Sequence, residues 1–344
     1  MTIPYRIRQM LRRFAIVLLV LVLLAAALLV SWLLWLSRYI IYTDEGAKFD
    51  FSLSSTLPSG EIAAPPTPGE TVHISYGSID DLLPDLPTEL TRLSGYTVSA
   101  ELLLSDPEGV AEAVEALPKG STVLLSLKTL RGEFLYSSTL GRTTEKIDTV
   151  QVDRIIRTLK ERGCYLIAEI PALQDYWYFL DDENGRVPYG LPRYGGNGSL
   201  WLDQSGPCYW LNPASNGALN YLVQIITELR TFGFDEVLLR NFHFPDTDQI
   251  SFDGDRHQAL QKAANTLVQA CSSDTFTLSF AETDITLPEG RCRLYVSGIS
   301  AGDIPSFVPG LPIADPTVQL VFLTDLLDTR FEQYGVLRPL DVHD

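Results

Sequence analysis

The alternation of apolar and polar positions divides the chain into three stretches. Phe14 to Leu36 is an uncharged run of 23 residues in which only Ser31 is polar. As a helix it would extend roughly 35 Å, enough to cross a bilayer. Residues 37–70 show little periodicity, and Pro58, Pro65, Pro66 and Pro68 stand there among Ser, Thr and Gly, which predicts a linker. Ordered structure is expected from about Thr71, and from Gly95 onward two periods take turns. Strand-like runs lie at Thr97–Leu104, Thr122–Leu127, Tyr165–Ile170, Glu236–Phe242, Phe276–Ala281, Leu294–Val296 and Val318–Leu323, with a candidate eighth at Thr71–Tyr76. Between them lie amphipathic helices. One opens at Asp106-Pro107, an N-cap followed by a first-turn proline, and runs to Leu117. Another spans Val150–Arg162, with Val152, Ile155, Ile156 and Leu159 on one face and Gly163 as its stop. A third starts at Asn212-Pro213, turns Leu219, Leu222, Val223, Ile226 and Leu229 inward, and stops at Gly233. A fourth covers Asp255–Cys271.

Apolar strands separated by helices predict a parallel sheet covered by helices. Their number, and the lack of a Gly-rich phosphate turn after any strand, favour a (β/α)8 TIM-barrel-like domain over a doubly wound sheet. The weak helices of the final units leave room for an irregular barrel. The expected organisation is a basic tip at 1–13, a transmembrane helix at 14–36, a linker at 37–70 and a barrel domain over 71–344.

Charge sharpens the first stretch. Arg6, Arg8, Arg12 and Arg13 precede the apolar run, Arg38 follows it, and residues 1–38 hold no acid. The positive-inside rule then puts the N-terminus in the cytoplasm and the main domain outside the membrane. Trp32, Trp35 and Tyr39 occupy positions suited to interfacial anchors. A cleavable signal peptide fits less well, because its apolar core should be about 7–15 residues long. Over the whole chain 43 acids face 26 basic residues, a formal net charge of −17. That balance argues against a nucleic-acid partner, which needs clustered Lys and Arg. With 46% hydrophobic residues and only 20% charged, a disordered acidic chain is excluded as well.

Candidate chemistry is sparse. Cys164, Cys208, Cys271 and Cys292 form no CxxC pair and the four histidines are scattered, so neither a metal site nor any cofactor is expected. Cys271 and Cys292 flank one strand and could form a disulfide; buried free thiols are the equal alternative. The loop from Gln174 to Leu211 is rich in rings, among them Tyr176, Trp177, Trp201 and Trp210, and in acids such as Asp175, Asp181 and Asp203. Rings beside carboxylates suit sugars, whose C–H faces stack and whose hydroxyls need partners. The same rings would equally serve as the small core that a loop this long needs.

The segment Gly233-Phe234-Asp235-Glu236-Val237-Leu238-Leu239-Arg240-Asn241-Phe242-His243-Phe244-Pro245 resembles the motif of a bacterial family of predicted glycoside hydrolases, formerly a domain of unknown function. Lys128, Gly132 and Tyr136 are similar to its strand-end Lys followed by a Gly and an aromatic. Arg162 to Ile170, and Trp201, Trp210, Asn212-Pro213 and Tyr221, also fit in order and spacing. The resemblance covers about residues 95–285 and, more loosely, reaches about 310. It implies a TIM barrel and polysaccharide as the substrate class, either cell-wall or external glycan.

Departures from the pattern matter more. Family members that look catalytic carry Asp where this chain has Arg240, and usually Arg where it has His243. Glycoside hydrolysis normally uses two carboxyl groups flanking the scissile bond. An arginine replaces neither, since it stays protonated and has no lone pair to offer. Glu169, Glu282 and Asp284 are the remaining candidate catalytic acids, while Lys128, Arg240, Asn241, His243 and the four loop rings are candidate sugar contacts. Three functions are open: a diverged domain that binds glycan, a glycosidase using non-standard acids, and a cell-surface scaffold binding a protein partner. Arg240 between Glu169 and Glu282 would count against the second. Burial of all four rings would remove the main support for binding through the loop.

Overall fold

The computed structural model describes residues 40–43, 46–49, 89–182, 185–187, 200–201, 210–246, 250 and 252–342. The expected membrane helix at 14–36, the candidate strand at 71–76 and Cys208 lie outside them. Among the described residues no helix is long and apolar enough to cross a membrane. The described chain forms two compact units.

The smaller unit contains a three-stranded sheet. Strand β1 (Ile40–Thr43) pairs antiparallel with β2 (Gly46–Phe49) and parallel with β6 (Leu200–Trp201). Two of these strands lie in the stretch expected to be linker.

The larger unit is a closed parallel barrel of eight strands, β3 (Ser94–Val98), β4 (Thr122–Ser126), β5 (Tyr165–Pro171), β7 (Glu236–Arg240), β8 (Thr277–Ala281), β9 (Leu294–Ser297), β10 (Leu320–Leu323) and β11 (Gly335–Pro339). The ring runs β3-β4-β5-β7-β8-β9-β10-β11 and closes by pairing of β11 with β3. The expected eightfold barrel is therefore present, but its eighth strand is Gly335–Pro339. That segment, with Gly335, Arg338 and Pro339, carries a weak strand pattern.

The helices are α1 (Ala100–Ser105), α2 (Pro107–Ala116), α3 (Thr149–Glu161), α4 (Tyr176–Asp181), α5 (Asn216–Thr231), α6 (Arg256–Cys271), α7 (Ile304–Phe307) and α8 (Pro316–Gln319). Local caps explain several boundaries. Asp106 accepts from the Gly109 amide, and Asp255 from Gln258. Gly163, after α3, takes a φ of 69° that side chains avoid. Three expectations shift. The apolar run to Leu104 is not strand throughout, because Ser99 accepts from Leu102 N and starts α1. Helix α5 begins after the Asn212-Pro213 turn, capped by Ser215. Its buried face includes Ala218, Tyr221 and Ile225 instead of Leu219 and Val223.

Inside the barrel, Leu93, Leu124, Ile167, Leu238, Ala281, Tyr295, Val321 and Leu337 form one buried cluster. An ionic layer lies on each side of it, and β7 shows the plan because alternate strand residues share a face. Glu236 lies at the N-terminal end, Leu238 in the middle and Arg240 at the C-terminal end. At the lower end Glu236 is fully buried and pairs with the equally buried Arg293. It also accepts from the hydroxyls of Tyr165, Ser279 and Tyr295. Burial lowers the Arg293 pKa, but Glu236 outweighs it and the net shift is upward. This end of the strand is closed to solvent and its carboxylate is fully engaged within the core.

Cys164, Cys271 and Cys292 are buried free thiols, so the disulfide alternative for Cys271 and Cys292 is not realised. Burial pushes both of these thiols up to about 11, so they stay protonated near neutrality.

Candidate functional site at the barrel mouth

The C-terminal ends of β4, β5, β7 and β8 bring Ser126, Glu169, Arg240 and Glu282 together. Arg240 Nη1 lies 3.2 Å from Glu169 Oε1, and its Nη2 lies 2.9 Å from Glu282 Oε1. Ser126 donates its hydroxyl to the same Glu169 oxygen at 2.8 Å. Glu169 is almost closed to solvent, whereas the side chains of Arg240 and Glu282 are 37% and 38% exposed. Burial alone would lower the Arg240 pKa; Glu169 and Glu282 outweigh it and raise it. The guanidinium thus stays charged and occupies the space between the two carboxylates. This is the arrangement that speaks against their working as a free acid/base pair.

Backbone strain marks the same rim. Asn241 and Glu282 each have a φ of 53°, the only described non-glycine residues with positive φ. Such conformations are uncommon for residues with a side chain and cluster at functional sites. Here the strain changes direction of the chain directly after β7 and β8. Simple alternation would place Asn241 opposite Arg240. The left-handed turn instead lets both line one cavity of about 570 Å3, with Ser126, Lys146, Glu169 and Glu282. Asn241 donates to Gln174 Oε1 at 2.7 Å.

Lys128 sits beneath this rim. Its ammonium lies 2.7 Å from Asp175 Oδ2, and neither side chain is exposed. Asp175 also caps α4 by accepting from Tyr178 N, and it accepts from the Tyr221 hydroxyl. Burial, then Asp175, raises the Tyr221 pKa. Gly132 has a φ of 88°, and a Cβ there would come within 2.0 Å of Asp175 Oδ1. The Lys128 and Gly132 pattern is thereby explained as packing around one buried carboxylate. Tyr136, the third member, donates to Glu228 on α5.

Glu228 fastens the loop after β4. It accepts from Tyr136, from the Ser138 hydroxyl, and from the Thr139 amide and hydroxyl. Burial opposes its charge, but these donors prevail and lower its pKa. A carboxylate depressed on folding adds stability above its unfolded pKa, about 4.3, and loses it as pH falls through the folded value. Glu228→Gln should therefore lower the melting temperature at pH 7, by roughly 1 kcal/mol of stability, and the gap to wild type should close toward pH 3. A gap that persists unchanged in acid would show that the charge contributes nothing.

The predicted aromatic contacts divide. Tyr176 and Trp210 are each only 2% exposed. Trp210 packs on His243, ring centroids 4.8 Å apart. Trp177 is half-buried, covered on one face by the Arg142 guanidinium at 3.7 Å, and meets Tyr176 edge-on. Trp201 belongs to the small sheet, and its side chain lies outside the described residues. Of the three described rings, two are buried and the third is partly covered. His243 is half-buried, with Nδ1 2.7 Å from the Phe244 carbonyl, which suits an Nδ1–H tautomer donating to it. Asp284 is 70% exposed beside His257 on α6 and does not line the cavity shared by Arg240 and Asn241. Among the described residues no cluster of His, Cys, Asp and Glu could hold a metal.

Residues 109–276 match the family described as "Putative glycosyl hydrolase domain". No functionally curated protein matches the chain. Similar solved structures include a hypothetical protein from Ruminiclostridium thermocellum, at 19% identity and TM-score 0.44, covering 54% of this chain and 96% of that one. An α-glucosyl transfer enzyme, XgtA, is 10% identical with a TM-score of 0.49, covering 74% of this chain and 68% of its own. The glycoside hydrolase domain of PelA from Pseudomonas aeruginosa is 13% identical with a TM-score of 0.42, covering 74% and 96%.

Proposed function

We propose that the protein, whose residues 109–276 match the family described as "Putative glycosyl hydrolase domain", binds polysaccharide at the barrel mouth without hydrolysing it. One observation carries this reading: the guanidinium of Arg240 lies in contact with both strand-end carboxylates. Retaining and inverting hydrolysis each need a proton donor and a second carboxylate free to act as base or nucleophile. Glu169 is nearly closed to solvent, tied to Ser126 and Arg240, and offers neither role readily. The half-exposed Arg240, Glu282 and Asn241 can instead hydrogen-bond sugar hydroxyls in the cavity of about 570 Å3, a size usual for ligand pockets. Burial of Tyr176 and Trp210 moves the proposed contact from the aromatic loop to this polar rim.

The proposal includes an anchor. Residues 14–36 cross the membrane and hold the barrel on its outer side. The support is the uncharged 23-residue run and the four arginines before it.

The test uses the full chain. It should fractionate with membranes and, once reconstituted in lipid nanodiscs, should be retained by insoluble peptidoglycan or another cell-envelope polysaccharide. No reducing ends should appear, and Arg240→Ala should weaken retention about tenfold or more, as losing a charged hydrogen-bonding group does. Release of reducing ends by the wild type would overturn the non-hydrolytic reading. Absence of retention on every polysaccharide would favour a protein-binding scaffold.

A further inference from the structure

Among the described residues, two cavities meet at the barrel mouth. Arg240 and Glu282 line both and form the partition between them. On the side of β4 and β5 lies the polar cavity described above. On the side of β9 and β10 lies a second cavity of about 290 Å3, walled by Val296, Ile299, Phe307, Leu311 and Leu323 over a floor that includes Tyr295. Apart from the partition itself, Thr283 and Ser297, its lining is apolar.

The apolar walls are only half-buried, although each belongs to a well-packed region. Val296, Ile299, Phe307 and Leu311 rest on the buried cluster of Leu294, Ile304, Val308, Leu320 and Phe322. Leu323 rests on the barrel's central cluster. Their outer faces open to the cavity. The loop leaving β10 continues the theme: three and four residues beyond Leu323 stand Leu326 and Leu327, 45% and 88% exposed. Among the described residues the large exposed hydrophobics are four, and Leu130, a third, lines the polar cavity. Water gains little from an apolar recess beside an ion pair, whereas an apolar group placed there is removed from water at about 25 cal/mol per Å2.

Resting on the glycan-binding reading, we propose that the ligand is a glycan carrying an apolar aglycone, an alkyl or prenyl-type chain. The sugar occupies the polar cavity, the chain occupies the apolar one, and the glycosidic oxygen lies at the Arg240–Glu282 partition. Continuity through these two shared residues selects this occupant. A free polysaccharide would leave the apolar cavity unused, and a free lipid would leave the polar one unused.

Binding should be measured by calorimetry on the full chain in nanodiscs, with four probes: methyl and octyl glycosides of one sugar, an octyl chain with a sugar-free ethylene-glycol head, and the polysaccharide retained above. The octyl glycoside should bind about tenfold or more tighter than the methyl glycoside. Phe307→Asp, or Leu311→Ser if the first variant fails to fold, should abolish that advantage and leave polysaccharide retention unchanged. Equal affinity for methyl and octyl glycosides overturns the inference while retention of polysaccharide still supports the binding reading. Equal affinity for the sugar-free chain overturns it too, because the two cavities would then not act together. If neither glycoside nor polysaccharide binds, both readings fall.

Discussion

Replacing Arg293 with methionine should destabilise the barrel by about 3–5 kcal/mol, because it strands a fully buried carboxylate. Glu236 and Arg293 have 0% and 1% side-chain exposure, so water cannot take over when one partner is lost. Domains are commonly stable by only about 5–15 kcal/mol, so the variant should unfold at much lower urea. A second substitution separates the pair from the packing. In Glu236→Gln/Arg293→Met the pair leaves no buried charge; the glutamine carbonyl oxygen can still accept from Ser279 and Tyr295, and its amide can donate to the Tyr165 hydroxyl. The double variant should recover most of the loss. Urea midpoints for the two variants provide the test; a single-variant loss below about 1 kcal/mol would contradict the account, since removing one member of a buried pair costs far more.

Lys128→Met should cost a similar amount, about 3–5 kcal/mol, but its effects should be local to the mouth. Asp175 would remain buried with the Tyr221 hydroxyl and the Tyr178 amide as donors and no cation. It holds the N-terminus of α4, and Tyr178 stacks on Tyr221 with centroids 4.2 Å apart. Faster amide hydrogen exchange is therefore expected first around residues 174–182 and in the loop after β4, ahead of the β7–β8 ladder. Uniform acceleration through the whole barrel would show that Lys128 supports the fold generally and not this corner.

These side chains also show where a sequence can be read and where it cannot. Helices α2, α3 and α6 follow from their sequence because Asp106, Gly163 and Asp255 act on amides or turns close by in the chain. The run ending at Leu104 has no such clarity: an unbroken apolar stretch suits a strand or a short helix, and the Ser99 cap decides. Strand β11 escapes notice because its place between β10 and β3 is set by closure of the ring, not by composition. At the mouth, Arg240 facing Glu169 and Glu282 was legible, since all three lie at ends of inferred strands. Asn241 beside Arg240 was not, because strict alternation separates them and only the left-handed backbone reunites them. The roles of Asp175, Tyr221 and Glu228 depend on partners dozens of residues away. For Tyr176 and Trp210, composition suited two uses equally, and burial favours packing.

The pairing of β3 with β11 has a consequence for biosynthesis. Ser94 begins the first barrel strand in chain order, and its neighbour starts only at Gly335. Throughout elongation β3 therefore presents an unpaired edge, and the ring stays an open sheet until the last of its strands arrives. Open edges invite wrong partners, and contacts between distant residues form slowly. The helix–strand units around β4, β5 and β7 can dock as they emerge, but the mouth that they share with β8 to β11 exists only after the ring has shut. Under the proposed function, ligand capture would report a closed ring, and a product truncated before Gly335 would display the same surface residues without a closed mouth.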